Sequence, residues 1–565
     1  MHGFFGSYGK ICDWDISTWQ GTSFVTRKYE RQAFHLTQVT LRKFLDDKCF
    51  VEQDGCFLAV EGVLFEADQP AEAIARYRSG ETIFWSSWRG SFCGVLYDSR
   101  EDLLLIFNDH VGSKMLFYTQ AEDSLLFSSD QMTLAAAAGV KTSNEQFAWS
   151  MLTFGYSPIG ETILIGIQRL MAGEYLLMKG ASVECHTWHR FDDTPNTYSL
   201  QENIEQTDLL FRQAVQRVIN KNNQYGLKHV AALSAGLDSR MSVCVARELT
   251  GEPIDVVTYS QSGYYDETIS RQIAEAWNLT MHFTPLDGGA YLNLTDETTA
   301  LTGGLVNYAG AAQVIAGFEV LNKAQTGVIL TGMIGDIVIN SRTASNPESY
   351  PGLGAISQEY IHQLPAVTKL IARLFPRQEL YYLYIRGFNC ADLGSPLVLQ
   401  TFSESYSPFY DVDLLQFCLS IPLEQRYNYR LYDQWIRTCH PQAAQWAHNG
   451  TTLIGKRPYM AHIAKRDIPL RDLAKRVFWY LCKQLHIHNF YREYAGQSMN
   501  PLDAWYNNNA ALRSTLDNYL TDHINLLQTN RTLQQSALEL YQSGSVMEKL
   551  QVLSLLSALK LNQRQ

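Results

Sequence analysis

Apolar residues recur along this chain at two different spacings, and the change from one to the other divides it. Through about the first 190 residues they form short runs set between turns: Phe57-Leu58-Ala59-Val60, Phe92-Cys93-Gly94-Val95-Leu96-Tyr97, Leu103-Leu104-Leu105-Ile106-Phe107, Leu116-Phe117-Tyr118, Leu125-Leu126-Phe127-Ser128 and Tyr175-Leu176-Leu177-Met178. Runs this short predict strands in layers, with an occasional helix such as 70–78. From residue 200 the spacing lengthens to that of a helix. Leu209, Leu210, Val215, Val218 and Ile219 line one side of a predicted helix over 200–220. A strand then opens at His229, and a helix over 240–249 carries Met241, Val245 and Leu249 and stops at Thr250-Gly251. A strand over 253–260, a helix over 268–277 and strands over 280–284 and 327–331 follow. Alternating strands and helices predict a doubly wound parallel sheet whose ligands bind at the strands' carboxyl ends. Amphipathic helices are predicted over 471–481 and 546–561.

The fold class that follows is mixed: an α+β layered domain over 1–190, a polar linker over 191–205 and an α/β parallel-sheet domain over 206–460. A helical extension over 461–565 is expected to pack on the last of these. A length of 565 residues exceeds what one core usually serves. With 46% hydrophobic and 18% charged residues the chain is globular. Its net charge of −11 argues against nucleic acid as a partner. The ten cysteines are scattered without a Cys-x-x-Cys, which suits reduced, buried thiols rather than a zinc site or a disulfide framework. Without a signal-peptide pattern or a long apolar run, a cytoplasmic protein with no membrane partner is expected.

The chemistry concentrates at Ser234-Ala235-Gly236-Leu237-Asp238-Ser239, between a strand's end and a helix's start. Unpaired N–H groups and the positive helix pole there favour a phosphate. Ser234 and Ser239 add hydroxyls, and Asp238 can hold Mg²⁺. No Gly-Lys-Ser/Thr follows, and Gly-x-Gly-x-x-Gly is missing. The stretch instead resembles the Ser-Gly-Gly-x-Asp-Ser loop of the PP-loop ATP pyrophosphatases, which release pyrophosphate and leave an acyl-AMP. Ala235 replaces the first glycine, so its φ must be negative or strained. A second loop, Gly332-Met333-Ile334-Gly335-Asp336, resembles the Ser-Gly-Glu-Gly-x-Asp-Glu loop of asparagine synthetases, whose aspartate binds pyrophosphate-bound Mg²⁺. Gly332, Gly335 and Asp336 read as retained, while Met333 and Ile337 stand for its acids. The resemblance implies ATP and Mg²⁺ as cofactors. Leu233, Ser234, Ala235, Gly236, Asp238, Ser239, Gly332 and Gly335 would line the pyrophosphate, Asp238 and Asp336 the metal, and Tyr259 and Ser260 the adenine pocket. Asp266 is either one of the acids that follow that pocket or a helix N-cap.

The first half points the same way. Met1-His2-Gly3-Phe4-Phe5-Gly6 resembles the Met-Cys-Gly-Ile-Phe-Gly start of class II glutamine amidotransferases. Gly90-Ser91-Phe92, Leu96-Tyr97-Asp98 and the stretch from Asn108 to Tyr118 resemble their later motifs. With both halves in this order, the chain is similar to the asparagine synthetase family, which includes β-lactam synthetases and lasso-peptide cyclases. His2 stands where that family has its nucleophilic Cys, and imidazole cannot form a stable thioester. Glu61-Gly62-Val63 replaces Asn-Gly-Glu, and Asn108 replaces Arg. The first domain therefore reads as a retained structural lobe rather than a glutaminase.

Further on, Asp411 is kept, but Tyr406 replaces the Arg before the family's Pro. Lys456 is the expected catalytic cation, with His448 and Arg457 as alternatives, and Glu348 or Tyr350 is the expected base. The resemblance implies an AMP-forming, amide-forming ligase that joins a small-molecule or peptide carboxylate to ammonia or an amine. A ring-closing cyclase and a nucleotide-binding scaffold without catalysis are the alternatives. A homodimer or a biosynthetic-complex partner stays open.

Overall fold

The strand Cys56–Glu66 shows why the first half reads as unbroken apolar runs. Phe57 and Ala59 point into one core, and Cys56, Leu58 and Val60 into another. Successive side chains of a strand face opposite ways, so a sheet buried on both faces loses its polar alternation. The computed structural model describes residues 2–19, 21–121, 123–341, 354–388, 393–448, 451–453, 460–463, 466–469, 477 and 498–563. The strands of the first half are β1 (Gly3–Tyr8), β2 (Phe24–Arg31), β3 (Phe34–Leu41), β4 (Phe50–Gln53), β5 (Cys56–Glu66) and β6 (Arg89–Asp98). They continue with β7 (Leu103–Asn108), β8 (Phe117–Ala121), β9 (Ser124–Ser128), β10 (Gln168–Arg169), β11 (Glu174–Lys179) and β12 (Ser182–Thr187). They form two antiparallel sheets, β10-β8-β9-β1-β3-β2 and β12-β11-β7-β6-β5-β4. Phe4, Phe34, Val95, Ile106 and Phe127 fill the space between them. On the outer face of the second sheet, α1 (Pro70–Arg78) covers a cluster in which Trp85 stacks on Phe107 at 4.0 Å. The helices α2 (Gln131–Ala138) and α3 (Glu145–Phe154) complete this half.

The second half is wound on α4 (Leu200–Gln224), whose start is fixed by a reciprocal capping box between Ser199 and Glu202. Then come β13 (Lys228–Ala232), α5 (Leu237–Thr250), β14 (Ile254–Ser260), α6 (Tyr265–Trp277), β15 (Thr280–Pro285), α7 (Thr295–Thr302) and α8 (Tyr308–Phe318). After them come β16 (Thr326–Leu330), α9 (Gly335–Val338), α10 (Pro365–Leu374) and β17 (Ser405–Tyr406). The sheet is parallel in the order β15-β14-β13-β16-β17. The chain winds outward from β13 and then restarts on its other side at β16. The carboxyl ends of β13 and β16 therefore flank a topological switch point, the usual place for a ligand crevice in such sheets. The helix expected from residue 240 begins at Leu237, and the one expected from 268 begins at Tyr265. Both connecting loops are thus shorter than the sequence suggested.

The largest apolar cluster runs through both halves, joining Phe117, Leu134 and Phe147 to Phe211, Val243 and the final helix Val546–Gln563. Buried ion pairs cross the same divide: Lys114 with Glu404 at 2.7 Å and Lys221 with Asp47 at 2.8 Å. No helix of the described residues is long and apolar enough to cross a membrane. The helix predicted over 471–481 lies outside the described residues except for Val477.

Two contacts hold the crevice together. The loop after β16 presses on the start of α5 so closely that a Cβ on Gly332 would lie 2.2 Å from the Ser239 nitrogen. One on Gly335 would lie 2.5 Å from the Asp238 carboxyl carbon. Behind α5, the buried His440 bridges Asp208 of α4 at 2.6 Å and Glu248 of α5 at 3.2 Å. These hydrogen bonds outweigh burial and raise its pKa to about 11.

Gly332→Ala should lose about 1–3 kcal/mol by overpacking, whereas Gly310→Ala, in open space on α8, should gain up to about 1 kcal/mol. Urea unfolding of the two variants checks the opposite signs. Because the folded-state pKa of His440 is raised above its unfolded value, its stabilisation is full below about pH 6.5 and is lost as pH rises toward 11. The thermal midpoint should fall across that window, and the part of the fall due to this group should be missing from His440→Gln.

Candidate functional site

The first loop is held open by its own hydrogen bonds. Leu233 continues the strand by donating to the Val257 carbonyl at 2.9 Å, and its own carbonyl accepts from the Thr258 hydroxyl at 2.7 Å. The Ser239 hydroxyl accepts from the Ser234 N–H at 3.0 Å and lies 2.9 Å from the Ser234 hydroxyl, which in turn accepts from the Gly236 N–H at 3.2 Å. Ala235 does not adopt a positive φ, so the missing glycine costs nothing in backbone strain. Gly236 is the N-cap of α5 with an extended backbone.

Asp266 is not an N-cap. Tyr264 holds that position, and the Asp266 carboxylate instead reaches across to accept the Ala235 N–H at 2.8 Å. It occupies an amide that an incoming phosphate could use, and burial pushes its pKa up. Under the loop lies Arg240, fully buried. Its guanidinium donates to the carbonyls of Ala235 at 2.7 Å, Ala447 at 2.9 Å, and Ala443 and Trp446 at 3.1 Å. Four carbonyls take the hydrogens of its two terminal nitrogens without cancelling its charge, and its buried Nε is left without a partner. Burial lowers its pKa only to about 10, so a positive charge sits beneath the loop at neutral pH.

The second loop corrects the motif reading. Counted outward from Asp336, the second glycine of Ser-Gly-Glu-Gly-x-Asp-Glu falls on Ile334 rather than Gly335. Ile334 takes the left-handed conformation that this glycine would supply, with φ 59°, and its side chain is buried. A β-branched residue there is an outlier, and such strain costs of order 1–3 kcal/mol. Gly332 and Gly335 have no positive φ. They serve the close packing of one loop on the other. The Ser407 hydroxyl fixes this loop by donating to the Met333 carbonyl at 2.8 Å.

Across the crevice the two acids meet. The Asp238 carboxylate accepts the Asp336 N–H at 3.1 Å and the Tyr432 hydroxyl at 2.6 Å. Burial, with the Asp336 charge adding to it, raises the Asp238 pKa to about 7. A buried carboxylate of raised pKa beside a second acid suits a hard divalent cation, whose charge would favour its ionised form. Tyr432 and Arg240 were not marked out by any motif. Tyr432 lies 194 positions from Asp238, and the only local sign of Arg240 is its place one residue after the loop.

The remaining expectations fare variously. Ser260 is buried and donates to the Gln261 carbonyl at 3.0 Å. Tyr259 lies against α8, where a Cβ on Gly317 would come within 2.2 Å of its ring. Lys456, Arg457, Glu348 and Tyr350 lie outside the described residues. His448 belongs to a short strand, Ala447–His448, and nothing more of it is described. Asp411 is buried and paired, but with Arg217 of α4 at 2.6 Å, which supplies the cation that Tyr406 does not. Tyr406 donates to the same carboxylate at 3.3 Å.

In the first half, burial and the nearby Lys48 and Lys114 push the pKa of His2 well down, so its ring is neutral. Glu61 is buried, accepting from Gln38 at 2.9 Å and Thr40 at 2.8 Å beside Lys48 at 3.7 Å. The Asn108 amide donates to the carbonyls of Lys114 at 3.0 Å and Leu170 at 3.4 Å. These positions are bonded into the fold.

Comparison with known proteins agrees in kind. The family described as a glutamine amidotransferase domain matches residues 58–189. Asparagine synthetase [glutamine-hydrolyzing] 1 of Bacillus subtilis is 20% identical over 42% of this chain and 37% of its own length. Asparagine synthetase [glutamine-hydrolyzing] 3 of the same organism is 24% identical over 38% and 33%. The chain thus spans about a third of the length of these relatives. Among solved structures, the glutamine phosphoribosylpyrophosphate amidotransferase of B. subtilis covers 60% of this chain and 83% of its own at 11% identity, with a TM-score of 0.24, too low to carry an argument. The domain match, the two relatives and the paired halves converge on one conclusion: the chain is a distant relative of the asparagine synthetases.

Proposed function

We propose that the chain is an ATP-dependent, amide-forming ligase that activates a carboxylate as its acyl-AMP and passes the acyl group to ammonia or an amine without hydrolysing glutamine. The observation that carries this reading is the meeting of Asp238 and Asp336 across the switch-point crevice, over a buried Arg240. Asp238 and Asp336 would hold Mg²⁺, which neutralises pyrophosphate as it leaves. The opening turn of α5, which has no side-chain cap, would face the phosphates with its N–H groups, and the charge of Arg240 favours the anion. In the first step a carboxylate oxygen attacks the α-phosphorus and the bond to pyrophosphate breaks. In the second, nitrogen attacks the acyl carbon, AMP departs with the C–O electron pair, and one proton is released.

The supply of nitrogen follows from His2. A neutral imidazole packed edge-on to Phe24 at 5.5 Å offers no thiolate, and the buried Glu61 and Asn108 are committed to other partners. A scaffold reading has its own support in Met333 and Ile337, which leave the second loop short of two acids, and in the bond from Asp266 to Ala235.

Exchange of labelled pyrophosphate into ATP should depend on an added carboxylate and fall at least about a hundredfold, the scale of a lost electrostatic contact, in Asp238→Asn and Asp336→Asn. Exchange that persists in the double variant overturns the reading, and tight ATP binding without AMP release across a carboxylate panel supports the scaffold instead. With a turning-over substrate, ammonium should support amide formation and glutamine should not. Glutamate release from glutamine above background would return a glutaminase role to the first half.

A further inference from the structure

Three arginines of the described residues are buried: Arg169, Arg240 and Arg426. Arg240 donates to four carbonyls through its terminal nitrogens, leaving only its Nε without a partner, and Arg426 pairs with Glu379 at 2.9 Å while donating to the carbonyls of Val338 and Ile421. Arg169 differs. It lies on β10, opposite Phe117 of β8, with 7% of its surface exposed, and none of its guanidinium nitrogens has a hydrogen-bond partner among the described residues. No carboxylate of the described residues comes within 4.0 Å of its guanidinium. A buried charge without a hydrogen-bonded partner is costly; burial lowers its pKa and the Glu174 charge partly opposes this, so at about 10 it stays protonated at neutral pH.

What the guanidinium lines is a cavity of about 560 Å³, within the usual range for small-molecule sites. Its lining includes Ile159, Leu164 and Ile167 from the stretch before β10, and Leu370 and Leu374 of α10 with Phe375. Two acids also line it, and both are turned to other donors. Glu161 accepts from Gln146 at 3.2 Å, Ser150 at 3.3 Å, Ser157 and the Ile159 N–H. Glu174 accepts from the Met171 N–H at 2.8 Å and the Cys185 thiol at 3.8 Å. A second cation, the exposed Arg190, also lines the cavity. None of the residues of the two phosphate-loop candidates lines this space.

We propose that this cavity is a binding site for a small organic anion, with its carboxylate or phosphate on the Arg169 guanidinium and its apolar body between the loop before β10 and α10. The planar fork of arginine takes either anion through paired N–H donors, and the charge-assisted bonds would supply what the protein leaves unmade. Because its walls come from residues 118–190 and from 370–385, the ligand would clamp segments far apart in the chain. The inference stands independently of the ligase reading.

The test uses the full chain and calorimetric titration with phenylacetate, phenyl phosphate and neutral 2-phenylethanol as probes. At least one anion should bind saturably and at least about tenfold more tightly than the alcohol, a preference that separates a charged site from an apolar hole. Whichever anion binds distinguishes carboxylate from phosphate. Arg169→Met should weaken that anion by about tenfold or more while the thermal midpoint holds or rises, since an unpaired buried charge has been removed. Leu374→Trp, which fills the apolar wall and keeps Arg169, should also abolish binding, so the idea stays testable if Arg169→Met folds poorly. Equal binding of the alcohol, unchanged binding in Arg169→Met, or no binding of either anion at about 10 mM overturns the proposal.

Discussion

The close approach of the β16 loop to the start of α5 is the constraint on which the crevice depends. Parallel strands wound outward from β13 leave the carboxyl ends of β13 and β16 side by side, but that alone sets only the spacing of two strands. Gly332 and Gly335 remove the side chains that would hold the loops apart. Ile334 accepts a strained left-handed turn so that α9 can start where it does, with Asp336 in its first turn. The Asp238 carboxylate then reaches the Asp336 N–H only because the backbones touch. The strain is local, and the buried Ile334 side chain offsets part of it.

Charge is arranged around this contact in a consistent sense. The two acids oppose one another within the crevice, while Arg240 places its charge beneath the loop, neutralised by no acid. Behind them His440, Asp208 and Glu248 lock α4 to α5 with a protonated imidazole between two carboxylates. The front of α5 is therefore left with unresolved electrostatics and its back with resolved electrostatics. That difference separates the part of the helix that can answer a ligand from the part that only holds it.

Much of this architecture was legible in the sequence. The helix 70–78 has the bounds that periodicity suggested, and the strands β13 to β16 lie within a residue or so of theirs, because buried strands and one-sided helices announce themselves locally. The meeting of Asp238 and Asp336 also followed from two loops placed at strand ends. What could not be read came from partners remote in the chain or from backbone conformation. Tyr432 and Arg217 act on acids 194 positions away. The shift of the motif's second glycine onto Ile334 is a matter of φ, which no side chain reveals. Asp266 looked like a cap because a carboxylate near a helix start usually is one, and its reach to Ala235 depends on how β13 and β14 lie side by side.

The apolar cluster that joins Phe117 and Leu134 to Phe211 and Val243 carries a consequence for how the chain can vary. The first half supplies one side of an interior whose other side backs α5, the helix that follows Ser234–Ser239. A close-packed interior transmits a change of volume, so a substitution that loosens either side is felt on both. The packing residues of the two halves are thereby constrained together, whatever becomes of the polar positions around His2 and Glu61.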